Sequence, residues 1–179
     1  VKQLSIGYYD SVYIDIVTSI FMLLFGVNFS VYFLLLVRKF KAALTDSEFL
    51  GYFGIALGAA VLIALDIIDE YGGFWNAFRY SLFQVSSLMT TTGFATADFT
   101  LWPAFSKSIL IIVMLIGASA GSTGGGLKVS RVIIFFKCAA AELGRMLNPR
   151  RTVSIRVNGK AIATSTVHNT LVFISLYFL

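Results

Sequence analysis

The sequence predicts an all-α membrane protein: a helix, a re-entrant pore loop and a second helix broken by glycines, with transmembrane helices on either side. Three observations carry that prediction. Of 179 residues, 58% are hydrophobic and 13% charged, and the mean hydropathy is +0.84, whereas water-soluble domains carry about 25% charged residues. Seventeen Phe and two Pro suit long helices, not the short alternating segments and frequent turns of a transmembrane barrel. Finally, two runs of Gly, Ser and Thr interrupt the apolar segments, "SLMTTTGFATAD" at 87–98 and "GASAGSTGGGLK" at 117–128.

Ser11 to Val37 is an apolar run of about 27 residues, roughly 40 Å as a helix, and long enough to cross a hydrocarbon core of about 30 Å with some tilt. It is expected to be one span, and Arg38 and Lys39 at its end put that end in the cytoplasm. "TDSE" at 45–48 has the Thr-x-x-Glu pattern of a capping box. The helix it starts is expected to run through Leu65 toward the acidic "DIIDEY" and so return to the outer face.

Phe74 to Met89 covers about 16 residues, roughly 24 Å, which is short for a span. It reads as a helix that enters and stops; the alternative is an interfacial helix lying flat. Re-entrance is favoured because a polar Thr/Gly stretch and a second interfacial signature, "LWPAF", follow with no basic cluster between them. From Pro103, in the first turn where its missing N–H is harmless, a new apolar run begins. Unbroken to Ala141 it would measure roughly 58 Å, about twice the hydrocarbon thickness. An interruption is therefore expected at the five glycines from Gly117 to Gly126. Ala161 to Leu179 begins a last span heading outward.

The net charge of +5 is concentrated in Arg38, Lys39 and Lys41 and in Lys137, Arg145, Arg150, Arg151, Arg156 and Lys160. Segments 38–41 and 137–160 are accordingly read as cytoplasmic. No aromatic residue is interleaved with these bases as single-strand binding would need, so no nucleic-acid partner is expected. The single Cys138 makes neither an internal disulfide nor a thiolate cluster. The first apolar run has Asp10 and Asp15 near its start and no small-residue cleavage site, unlike a signal peptide. The chain reads as a segment of something longer.

Irregular backbone at membrane depth survives only where protein buries it or water bathes it. Both Gly-containing runs should therefore face a cavity. A short helix ending at "TTTGFAT" would aim the negative end of its dipole at the membrane centre, which favours a cation. An extended strand of Thr91, Thr92, Gly93 and Phe94 could turn carbonyl oxygens inward to replace the hydration shell of an alkali ion, Gly93 supplying backbone freedom. Asp98, with Asp66, Asp69 and Glu70 at the outer face, would raise the local cation concentration.

The second run admits other readings. "GSTGGGLK" departs from a nucleotide P-loop because Leu127 separates the last Gly from Lys128, and no Ser or Thr follows the lysine. "GASAG" fits G-x-S-x-G, and Ser119, Glu142 and His168 fall in esterase order, but a helical run precedes Ser119 where that motif needs a strand. A plain small-residue packing surface between helices is the main rival, although five glycines in so short a stretch destabilise an ordinary helix. His168 reads as structural packing, Lys128 and Arg131 as side chains reaching the inner interface, and Asp15 as interfacial.

"MTTTGFATADFTLWP", "GASAGSTGGGLKVSR" and "ELGRMLNPRRTVSIRVNGKAI" together resemble the membrane subunit of the Trk/Ktr/HKT superfamily of potassium uptake systems, and within it the bacterial TrkH/TrkG branch. The resemblance implies a pseudo-fourfold pore made from four helix, pore-loop, helix repeats in one polypeptide. In those terms 1–44 would be the closing transmembrane helix of a preceding repeat and a cytoplasmic linker. Residues 45–145 would be one complete repeat, and 146–179 a linker with the first transmembrane helix of the next. Thr91, Thr92, Gly93 and Phe94 would supply about one quarter of a potassium filter, with the ion at Thr91, Thr92 and Gly93.

The resemblance further implies a gate loop in Gly117, Ser119, Gly121, Ser122, Thr123, Gly124, Gly125 and Gly126, with Lys128 and Arg131 as inner-face charges. It implies a multi-pass subunit of the bacterial inner membrane, paired as a homodimer and docked to a cytoplasmic nucleotide-binding regulatory subunit that the 137–160 segment could face. No bound cofactor and no covalent chemistry are expected, only potassium as the transported ion. One glycine at the filter, where potassium channels have two in TVGYG, leaves discrimination against sodium weaker.

Overall fold

A computed structural model of the chain describes residues 5–147 and 155–179. The elements are α1 (Val12–Phe25), α2 (Phe29–Leu36), α3 (Phe40–Leu44), α4 (Ser47–Asp66), α5 (Phe74–Met89), α6 (Ala104–Ile116), α7 (Val129–Leu147), strands β1 (Arg156–Val157) and β2 (Lys160–Ala161), and α8 (Thr164–Tyr177). The fold is helical as expected, apart from the two-residue antiparallel hairpin β1–β2 in the linker before α8. Arg150 and Arg151 of the predicted basic segment lie outside the described residues.

The core is α4 packed along α5, with α6 against both and α1 against α5. α4 turns Tyr52, Ala56, Ala60, Ile63 and Ala64 inward, all fully buried. Four-residue spacing puts these on one face, and the alanines let the neighbouring backbones come close. That close approach is visible where the Ser81 hydroxyl of α5 donates to the Ala60 carbonyl at 2.8 Å. The buried Ser86 and Ser87 hydroxyls of α5 donate to the Phe83 and Phe94 carbonyls at 2.8 and 2.5 Å, while the buried Gln84 side-chain oxygen has no partner among the described residues. The outer surfaces of α1, α2, α4 and α6 carry exposed Phe, Leu and Ile.

α5 has the bounds the sequence predicts, and its two ends are joined to one another: Trp102, just past the Thr/Gly stretch, donates its indole N–H to the Tyr71 hydroxyl at 3.0 Å. The chain that leaves α5 therefore returns to the neighbourhood of the helix's start. At the far end of α4, Ser106 in α6 donates to the Asp66 carboxylate at 2.6 Å, so α6 runs antiparallel to α4. α6 stops at Ile116 and α7 starts at Val129, which places the predicted interruption at the glycines and extends it through Lys128.

Three expectations are corrected. The run from Ser11 to Val37 is not one helix: α1 and α2 meet at an angle of 91° across Gly26–Asn28. Gly26 caps α1, and the Asn28 side chain caps α2 by accepting from the Ser30 amide at 2.8 Å. Thr45 and Glu48 do not form a capping box; Asp46 is the cap, its carboxylate accepting from the amides of Glu48 and Phe49 at 2.9 and 3.0 Å. Asp15 is buried within α1 and paired with Arg79 of α5 at 3.6 Å, so it does not lie at an interface with water. Only α4 is by itself long and apolar enough to cross a membrane among the described residues, with α1 and α2 qualifying together as a bent pair.

Candidate functional site

The dipole of α5 ends at Thr90, and the four candidate filter residues that follow are all exposed. They are not a regular strand. Thr91 and Gly93 take φ of +57° and +78°, which breaks the side-to-side alternation of an extended strand. A Cβ added at Gly93 would meet nothing within 4 Å, so glycine is required there by conformation and not by crowding. Among the described residues no protein donor reaches the carbonyls of Thr91, Thr92 or Gly93, while the Phe94 carbonyl accepts from the Ser87 hydroxyl at 2.5 Å and the Ala95 carbonyl from the Gly7 amide at 3.2 Å. Phe94 thus anchors the segment to α5, and three carbonyl groups are left for a ligand.

Below this segment an open cleft of about 400 Å³ is lined by Thr18 and Phe25 of α1, by Thr90, Thr92 and Phe94, and by Thr123 of the Gly-rich loop. The polar groups named are threonine hydroxyls, neutral groups with acceptor lone pairs suited to a cation. Above it, Asp98 caps a 3-10 turn at Phe99–Leu101. The Thr100 hydroxyl and amide donate to the Asp98 carboxylate at 2.5 and 3.1 Å. These bonds hold its pKa below the usual carboxylate range, so the group stays negative at neutral pH.

The Gly-rich loop is a closed excursion between two helices. Its ends touch: a Cβ at Gly117 would strike the Gly125 carbonyl, and one at Gly126 would lie 2.6 Å from the Gly117 Cα. The amides of Leu127 and Lys128 donate to the Leu115 and Ile116 carbonyls at 3.0 and 2.9 Å, which satisfies groups that the end of α6 leaves open. Lys128 holds φ of +79°, a costly conformation for a residue with a side chain. It is fixed there by that amide bond and by its ammonium group, which donates to the Gly124 carbonyl. Arg131 donates to the Leu127 carbonyl at 3.0 Å and lies over the Phe173 ring of α8.

The body of the loop is held by partners that the sequence reading missed. Ser119 donates its amide to the Gly26 carbonyl at 3.0 Å, and the Phe29 amide donates to the Gly121 carbonyl at 3.1 Å. The Thr123 hydroxyl donates to the Phe25 carbonyl at 3.2 Å. The break between α1 and α2 exists to expose these groups, and Gly26 followed by Asn28 within an apolar run was the legible sign of it. Glu48 accepts from the Ala120 amide at 2.6 Å, the Ser130 amide at 3.2 Å and the Asn28 side-chain amide at 3.2 Å. No sequence pattern pointed to that role, because an acid at a helix start looks like a cap.

Filter segment and loop are in contact. The Gly125 amide donates to the Thr91 hydroxyl at 3.0 Å, and a Cβ at Gly124 would come within 3.2 Å of the Thr90 carbonyl oxygen. The hydrolase constellation is not assembled among the described residues: the buried Ser119 hydroxyl has no hydrogen-bond partner there, and Glu142 is engaged with Arg145 at 2.6 Å. Within the Gly-rich run, close glycine packing occurs between the two ends of the loop, Gly117 against Gly125 and Gly126.

A sequence profile of the family described as "TrkH: Cation transport protein" matches residues 74–179, more than half of the chain. The chain belongs to the TrkH family. Similar TrkH-family proteins include the Trk system potassium uptake protein TrkH of Salmonella typhimurium, 35% identical over 98% of this chain and 37% of the relative. The Trk system potassium uptake protein TrkG of Escherichia coli is 32% identical over 98% of this chain and 36% of its own length. The crystal structure of the potassium transporter TrkH from Vibrio parahaemolyticus superposes with a TM-score of 0.89 at 34% identity, covering 96% of this chain and 38% of that one. The chain thus spans about 37% of the length of the TrkH relative it matches, and both the helical membrane fold and the family are common to them.

Proposed function

We propose that this chain supplies about one quarter of a potassium-uptake pore, its carbonyls at Thr91, Thr92 and Gly93 replacing water around the ion. The loop from Gly117 to Gly126 acts as the gate beneath them, and transport proceeds without covalent chemistry. The observation that carries this reading is the contact between the two runs: unpaired carbonyls lie directly on a glycine-rich loop through Gly125 and Thr91. A helix end aimed at the same place adds favourable field for a cation. The names of the relatives support potassium as the ion. Lys128 places a fixed positive charge on the Gly124 carbonyl, where it opposes a passing cation while the loop is closed.

The rest of the pore comes from further repeats of a longer polypeptide, which pairs as a homodimer in the bacterial inner membrane. Segments 38–41 and 137–160 face the cytoplasm, the second toward a nucleotide-binding regulatory subunit. The test is rubidium-dependent protection of residues 90–96 in the full-length transporter, read by hydrogen exchange. Slower exchange in rubidium than in a large organic cation is expected. Identical exchange in both would refute the filter, and would favour a non-conducting module whose glycines serve packing alone.

A further inference from the structure

Glu48, in the first turn of α4, and Asn158, bonded to the start of that turn from the β1–β2 hairpin, connect it to different parts of the molecule. The Glu48 carboxylate is 8% exposed. One of its oxygens takes the Ala120 and Ser130 amides, and the other takes the Asn28 side chain. The three donors come from the Gly-rich loop, the first turn of α7 and the break between α1 and α2. A carboxylate accepts at both oxygens, and charge-assisted bonds to backbone amides are stronger than neutral ones. It also stands at the positive end of α7, where a negative group is favoured. Glutamine would keep one oxygen but present N–H groups to the Asn28 amide. Asn28 cannot simply reverse, since its own oxygen holds the Ser30 amide.

On the other side, Asn158 sits at the tip of the β1–β2 hairpin with φ of +51°. Its oxygen accepts from the Ser47 amide at 2.7 Å and its amide donates to Asp46 at 2.5 Å. The same Asp46 carboxylate caps the Glu48 and Phe49 amides. The open amides at the start of α4 are therefore met partly by α4's own cap and partly by the hairpin. The hairpin is tied to α7 as well, because Lys137 donates to the Arg156 carbonyl at 2.7 Å. It bridges α4 and α7, the two helices that the bond from the Ser130 amide to Glu48 also joins.

We propose that the first turn of α4 is a coupling element: Asn158 sets the position of the turn, Glu48 holds the Gly-rich loop, and displacement of the hairpin from the cytoplasmic side loosens the loop. This rests on the gate reading only for its effect on ions; the mechanical coupling stands by itself. In the full-length transporter, hydrogen exchange of 118–124 should be slow, and Glu48→Ala should speed it by about tenfold or more. Asn158→Ala, an exposed change that touches no loop residue, should speed it severalfold. The double variant should exchange no faster than Glu48→Ala alone, because both act through one path.

Wild-type exchange of 118–124 in Asn158→Ala, or rapid exchange of that segment in the unmodified protein, would overturn the proposal. The second measurement needs no variant to fold. Rubidium flux into proteoliposomes separates the two readings. A loosened loop with raised flux supports both, whereas a loosened loop with unchanged flux keeps the coupling and removes the gate.

Discussion

Gly93 holds φ of +78° with open space where a Cβ would be, so a substitution there acts on the backbone and leaves the packing alone. Serine in the left-handed region costs about 1–2 kcal/mol, enough to move the segment toward a conformation whose carbonyls no longer line up. In the full-length protein Gly93→Ser is expected to lower the rubidium-to-sodium flux ratio with little change in thermal stability; an unaltered ratio would count against these carbonyls. Gly26 is the opposite case. Its φ is ordinary at −77°, but a Cβ would strike the Tyr52 hydroxyl, which donates to the Leu23 carbonyl at 3.0 Å. Gly26→Ala should therefore destabilise the protein by about 1–3 kcal/mol, as overpacking does, seen as a lower midpoint of thermal unfolding in detergent. Replacing Tyr52 by Phe in that variant should restore part of the loss.

At the scale of elements, α5 and the Gly-rich loop are each built to end in the right place. α5 carries its dipole and Ser87 to the 91–94 segment, and its bounds were legible since turn residues flank an apolar run on both sides. The loop was legible as an interruption, because helix length and membrane thickness could not otherwise agree. Its shape was not legible: contact between Gly117 and Gly126 depends on two helix ends meeting, which no local pattern encodes. That contact allows a clean excision. Deleting residues 119–124 leaves ends that already touch, so α6 and α7 can stay in register. The deletion is expected to raise rubidium flux without changing the rubidium-to-sodium ratio; a closed pore from a normally folded, dimeric protein would show that the loop does not gate.

For the whole molecule, the apolar faces of α1, α2, α4 and α6 are exposed, and the pore proposed above needs the further repeats of a longer polypeptide. Residues 1–179 reconstituted alone are expected to give no rubidium flux above protein-free liposomes, while the longer polypeptide does; flux from the isolated chain would require a pore built differently. The sequence by itself determined that the chain is helical and membrane-bound, that α5 is a short helix, and that two Gly/Thr runs carry irregular backbone, because all of these follow from local hydrophobicity, length and backbone chemistry. Only the tertiary structure decided that the first span bends through 91°, that Asp15 is buried with Arg79 and that Glu48 holds the loop. Those features are contacts between segments far apart in the chain. A side chain that satisfies a distant backbone amide leaves no periodicity or spacing behind in its own neighbourhood.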